Sequence, residues 1–104
     1  MSTPPLRGQL FRVDFGHGPK PWLVVSNNAR NRNLETVLAA RVTTTSKHAA
    51  VPTVVPLSSA DPLLGFVVVD DLIQLYRDEL TLSLGALSAA TMSAVSAALR
   101  IALP

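Results

Sequence analysis

Cysteine is absent from the 104-residue chain, which excludes a disulfide framework and any thiolate metal site. Histidine occurs only at His17 and His48, too far apart in sequence to suggest a structural zinc site, so neither a metal nor another cofactor is expected. Long apolar runs are missing as well. None approaches the roughly 20 residues needed to cross a bilayer, and "MSTPPLRG" lacks the apolar stretch of a signal peptide, so a cytoplasmic protein with no membrane partner is expected. Charge is scarce: 15% of residues are charged against 48% hydrophobic, where about a quarter charged is usual. Part of an apolar surface is therefore expected to be covered by another chain, as in an oligomer or an obligate complex. The length bounds the chain to a single domain over 1–104 with one main core.

What charge there is lies unevenly. Residues 1–50 hold Arg7, Arg12, Lys20, Arg30, Arg32, Arg41 and Lys47 against Asp14 and Glu35. Residues 51–104 hold Arg77 and Arg100 against Asp61, Asp70, Asp71, Asp78 and Glu79. Clustered lysine and arginine are what phosphate recognition requires, so the basic half points to a polyanionic partner; an ordinary solvated surface is the alternative.

Hydrophobic periodicity reads mostly as strand. "QLFRVDF" alternates, with Phe11, Val13 and Phe15 on one face and Leu10, Arg12 and Asp14 on the other. "GHGPKP" reads as a turn-rich loop and "WLVVS" as an interior strand that takes Trp22 inside. "NNARNRN" is a basic connector with room for about one helical turn, in which Asn27 fixes the turn. "ETVLAARVTTT" reads as a strand with Val37, Ala39, Arg41 and Thr43 on one face, and "VPTVVPL" as an edge strand because its prolines cannot serve two ladders. "FVVVDDLIQL" is a strong strand signal broken by two aspartates, which are unfavourable in an apolar run unless they reach solvent or a site. "TLSLGAL" suggests a last short strand. Ser88 then caps a helix whose Met92, Val95, Leu99 and Leu103 form a stripe at helical spacing. The sum is a mainly β fold, a small antiparallel barrel closed by a C-terminal helix.

Five segments, in order, carry a resemblance: "RGQLFRVDFG", "KPWLVVSNNARN", "AARVTTT", "GFVVVDDLIQLYRDEL" and "LGALSAATMSAVSAALRIAL". Together they resemble the MazF/PemK toxins, the endoribonucleases of bacterial toxin–antitoxin pairs. That resemblance implies an SH3-like β-barrel, a homodimer, cleavage of single-stranded RNA at short sequences, and inhibition by a MazE-like antitoxin. It also implies a metal-independent reaction in which the ribose 2′-OH attacks the phosphate, leaving 2′,3′-cyclic phosphate and 5′-OH ends.

Such a reaction needs a base for the 2′-OH, groups that stabilise charge on the phosphate oxygens, and an acid for the leaving oxygen. The resemblance puts Lys20 where the family usually carries arginine, Thr43 at the phosphate-binding hydroxyl position, and Asp70 at a carboxylate used in acid–base work. Thr44 and Thr45 leave the hydroxyl open by one residue, although alternation favours Thr43, which shares a face with Arg41. Arg12 and Asp14 lie on the polar face of the first strand and could reach the same groove, and His17 lies in the loop beside Lys20 with a ring suited to proton transfer. Asn28, Arg30, Arg32, Arg41 and Thr44 supply amide, guanidinium and hydroxyl groups suited to unstacked RNA. With aromatic residues at only 5%, recognition would lean on hydrogen bonds and charge rather than stacking. Each candidate has a plainer alternative: a solvated loop for Lys20 and His17, a strand filler for Thr43, a turn carboxylate for Asp70. The rival function is a CcdB-like toxin that binds gyrase and cuts nothing, though the ending "RIALP" lacks the aromatic residue that this binding uses.

Overall fold

A computed structural model describes residues 3–103. The elements follow as β1 (Gln9–Asp14), β2 (Pro19–Val24), α1 (Asn28–Asn33), β3 (Thr36–Thr43), β4 (Val54–Pro56), β5 (Phe66–Tyr76), a 3-10 turn (Arg77–Glu79), β6 (Leu82–Ala86) and α2 (Ala89–Ala102). The six strands form one sheet in the order β4-β5-β3-β2-β1-β6, every neighbouring pair antiparallel. Among the described residues no ladder joins β4 to β6. The architecture is therefore a mainly β fold, an unclosed six-stranded sheet with one long helix, rather than the closed barrel that the strand count suggested. β4 does lie at an edge, as its prolines require.

Apolar residues on alternate faces of the strands build two cores. Leu10, Leu23, Ala40, Val42, Val55, Val67 and Val69 pack with Val95 and Ala98 of α2. Val13, Trp22, Val24, Val37, Ala39 and Leu75 pack together in a second cluster with Phe11 and Ile73. Period-2 side chains make both possible: β3 sends Ala40 and Val42 one way and Val37 and Ala39 the other.

Ser88 caps α2 by accepting from Thr91 N at 3.2 Å, a bond whose loss typically costs about 1 kcal/mol. The helix buries Thr91, Val95 and Ala98. Met92, Val95 and Leu99 of the expected stripe do pack on this core, joined by Thr91 and Ala98, whereas Leu103 ends the helix 64% exposed. Small residues let α2 lie close against the sheet, a preference that hydrophobicity alone does not register.

Two further expectations are corrected. Lys20 does not sit in a loop: β2 begins at Pro19, and Lys20 pairs opposite Val13 of β1. Pro19 and Pro21 are tolerated because β3 pairs with β2 only from Trp22 onward, so this stretch has a neighbour on one side only. The two aspartates do not break β5 either. The β3–β5 register shifts between Ala40 and Arg41, whose partners are Leu72 and Val68, leaving residues 69–71 as a bulge. A bulge lifts carboxylates out of the ladder and re-aims them, which is how two charges survive inside an apolar strand.

Candidate active site

β2 and β3 part company where the chemistry-bearing residues begin. The last ladder pair is Trp22 opposite Arg41; continuing that register two residues outward sets Lys20 across from Thr43. The strands diverge there instead of pairing, and the gap is a cleft of about 390 Å³ lined by Pro19, Lys20, Pro21, Arg41, Val42, Thr43, Thr44 and Leu64. Residues 20 and 43 are brought together by the sheet alone, and the two prolines restrict the backbone that carries the ammonium group.

Arg41 is held by a single contact, its Nε donating to Asp71 Oδ2 at 2.7 Å with both side chains a little under half exposed. An exposed pair of this kind adds little stability. Its effect is to orient the guanidinium, whose Nη groups make no hydrogen bond among the described residues. The Thr43 hydroxyl accepts from Thr45 N at 3.2 Å, which leaves its own hydrogen to donate. A point charge, a fork and a hydroxyl donor thus face one opening, a set suited to a phosphodiester.

The other candidates are placed differently. Asp70 does not line the cleft; its Oδ2 accepts from the Thr53 hydroxyl. Arg12 is exposed on β1; its side chain makes no hydrogen bond among the described residues, while its backbone carbonyl accepts from Thr81 N and Oγ1. His17 is exposed between Gly16 and Gly18, both at positive φ. Asn28 Oδ1 accepts from Arg7 N at 2.7 Å, and Arg30 donates to the Thr36 carbonyl at 2.8 Å and hydroxyl at 3.2 Å. Arg32 is exposed, and its side chain makes no hydrogen bond among the described residues. Of the sequence candidates, then, the fold gathers Lys20, Arg41, Thr43 and Thr44 at one cleft.

Three neighbours of the site had no signal strong enough to single them out. Asp71 was separable from Asp70 only by alternation, yet it is the carboxylate that meets Arg41. His48 lines a small hollow beside the cleft with Arg41, Thr43 and Thr45, brought there by a turn-rich segment without periodicity. Leu64 forms part of the cleft wall, and nothing in "PLLG" distinguishes it from Leu63. Another hollow, of about 290 Å³, is lined by Glu35, Tyr76, Arg77 and Asp78; its two carboxylates make it a poor phosphate site.

A family model described as a PemK-like, MazF-like toxin of type II toxin–antitoxin systems matches residues 6–103. The chain belongs to this family. Among the toxins it resembles is Endoribonuclease MazF1 of Mycobacterium bovis, 50% identical over 99 residues that cover 95% of this chain and 92% of the relative. Among solved structures, a mycobacterial endoribonuclease in complex with its cognate antitoxin superposes with a TM-score of 0.90 at 49% identity, covering 96% of this chain and 97% of that one. A MazE–MazF crystal structure from Deinococcus radiodurans gives a TM-score of 0.82 at 27% identity, covering 98% and 97%.

Proposed function

We propose that the protein is the endoribonuclease toxin of a toxin–antitoxin pair, cleaving single-stranded RNA without a metal ion through attack of the 2′-OH on its own phosphodiester. The observation that carries this reading is the meeting of Lys20, Arg41 and Thr43 at the point where β2 and β3 separate. Lys20 and Arg41 offset the negative charge that grows on the phosphate oxygens, and the Thr43 hydroxyl donates to one of them. Stabilisation aimed at developing charge is commonly the largest catalytic contribution, about 10²–10³-fold in kcat for one donor. Lys20, with three rotatable N–H groups, also protonates the departing 5′-oxygen. The products are a 2′,3′-cyclic phosphate and a 5′-OH end, and DNA is spared because it lacks the nucleophile.

Asp70 is the proposed acceptor of the 2′-OH proton; it lies outside the cleft lining with its Oδ2 held by Thr53, so this role requires the ribose 5′ of the cut to extend from the cleft toward β5. Comparison of Asp70→Asn with Asp71→Asn and His48→Ala tests that role: a fall in kcat of about 10²-fold or more at Asp70 alone supports it. A fall confined to one of the other two moves the base to that residue.

The partners are RNA, a second copy of the chain and a MazE-like antitoxin. Leu38, Ile101 and Leu103 are exposed large apolar side chains, as a covered surface would require, and similar toxins have been solved with antitoxin bound. The relatives' names favour a nuclease over a gyrase-binding toxin. Incubating the purified protein with end-labelled single-stranded RNA in excess EDTA tests the reading: cleavage is expected, and it should vanish when the nucleotide 5′ of the cut is 2′-deoxy. Intact RNA together with trapped gyrase would establish the rival.

A further inference from the structure

The β4–β5 connection, residues 57–65, contributes Leu64 to the cleft lining and is fixed to the body of the fold at three places. At the first, Asp61 Oδ1 accepts from Ser88 N at 2.7 Å, while its Oδ2 accepts from the Thr91 hydroxyl at 2.7 Å, Ser58 N at 2.7 Å and the Ser58 hydroxyl at 3.0 Å. Ser88 is the α2 cap, so the loop is tied to the first turn of the long helix. At the second, Pro62 lies against β6, close enough that a Cβ on Gly85 would come within 3.3 Å of its ring. At the third, Gly65, at φ +127°, passes so near β3 that a Cβ there would lie 2.3 Å from the Thr43 carbonyl oxygen. Leu57 and Leu63 turn inward onto the α2-side core. Partial burial alone would raise the Asp61 pKa, but the four donors outweigh it and hold the carboxyl well below the usual carboxylate range.

Between these anchors stands Leu64, 79% exposed and lining the cleft beside Lys20 and Thr43. A lone exposed leucine on a surface is ordinary. This one is bracketed by a rigid loop, adjoins the carbonyl-packed Gly65, and faces the groups that would hold a phosphate. Single-stranded RNA recognition works on unstacked bases, whose faces take up apolar side chains once they leave the stack. We infer that Leu64 is the apolar wall against which the base next to the scissile phosphate packs, a specificity-determining residue for RNA cleavage, and that Asp61 is the positioning residue that sets where this wall stands. The inference rests on the proposed nuclease reading.

The test uses the full chain in its native assembly on single-stranded oligoribonucleotides, with cut sites mapped across a randomised RNA pool. Leu64→Ala should raise KM about tenfold with kcat within about threefold, and should flatten base preference at one position beside the cut. Asp61→Ala should raise KM by a smaller factor in the same sense. The double variant should be no worse than Leu64→Ala, because Asp61 acts through Leu64. Leu64→Met, which restores an apolar wall of similar volume, should return KM and preference toward wild type. Melting curves confirm that each variant is folded, and Leu64→Ala is not expected to change the oligomeric state. Wild-type protein that cuts while Leu64→Ala keeps the same motif and KM overturns this inference alone, as does an effect explained by loss of the oligomer. Failure of the wild type to cut any RNA sinks the nuclease reading and this one with it.

Discussion

Two groups of cations, Arg30 and Arg32 of "NNARNRN" and Lys20 and Arg41 of the cleft, are used in different ways. In "NNARNRN" most of the polar side chains are bonded within the fold, although only Asn31 is buried. Asn27 caps α1 by accepting from Arg30 N at 2.8 Å, and Asn31, fully buried, exchanges hydrogen bonds with Ser26 at 2.5 and 3.0 Å. Ser26 in turn accepts from Leu38 N at 3.0 Å, Arg30 grips Thr36, and Arg77 donates to the Asn31 carbonyl. At the cleft, Lys20 has no bonded partner among the described residues, and Arg41 has one that leaves its Nη groups open. The presence of two cations in each place therefore predicts nothing about role. What separates a structural cation from one available to a ligand is whether the fold has already satisfied its donors.

The sharpest way to break this comparison is to remove one member from each side. Lys20→Ala should lower kcat by about 10²–10³-fold, in line with loss of one transition-state donor, while thermal unfolding moves little because the side chain is exposed. Lys20→Arg restores the fixed charge but not a group able to give up its proton, so it should recover the part of the activity due to charge and leave cleavage slower than wild type. Asn31→Ala should do the reverse. It leaves the Ser26 carbonyl without its side-chain donor and the Ser26 hydroxyl without an acceptor in a buried position, costing about 1–3 kcal/mol of stability, with kcat of the remaining folded protein unchanged. Denaturant titration and initial rates on the same samples check both arms. A stable but inactive Asn31→Ala would move α1 into the site.

Much of this arrangement can be read from the residues before any coordinates. Alternation in "QLFRVDF" and "ETVLAARVTTT" gives the two faces of β1 and β3 and puts Arg41 with Thr43, because the strand period of 2 is insensitive to context. Ser88 as the α2 cap and Asn27 as the fixer of the α1 turn follow from local hydrogen-bonding chemistry. The rest depended on non-local facts. Whether Pro19–Pro21 is loop or strand turns on where β3 leaves β2, which no local string encodes. The residue 69–71 bulge decides which carboxylate meets Arg41, and a shift of this kind changes which side chain reaches which face. Sheet closure depends on the seam between β4 and β6, two edges far apart in sequence. Asn28 and Arg30 were indistinguishable from ligand-binding groups because their partners, Arg7 and Thr36, are chosen by packing.

Acid should separate the two polar knots. The α1 network of Ser26, Asn31, Thr36, Gln74, Arg30 and Arg77 contains no carboxyl group. The loop anchor depends on ionised Asp61, whose folded pKa lies below its unfolded value of about 3.9. Its contribution is therefore present above that unfolded value and is lost as the pH falls further, toward the depressed folded pKa. Solvent exposure of the carboxylate keeps the effect modest. Amide protection factors, corrected for intrinsic exchange and measured from pH 5 down to pH 2, should drop first at Ser58 and Ser88 and last at Asn31. Simultaneous loss at both knots would show that the loop is not an independent unit.

The smallest expected effect is the most discriminating for the comparison, because Arg32 belongs to the α1 string yet shares the open state of the cleft cations. Its side chain is exposed and unbonded among the described residues, so Arg32→Ala should change stability by no more than about 0.5 kcal/mol. If satisfied donors are the only barrier to an RNA role in this segment, the variant should weaken RNA binding by a small, sequence-independent factor that shrinks as salt is raised, the mark of a phosphate contact outside the cleft. If α1 as a whole faces away from the substrate, binding isotherms of wild type and variant should superimpose at every salt concentration. The first result would extend the groove from Lys20 toward α1, and the second would confine substrate recognition to the β2–β3 cleft.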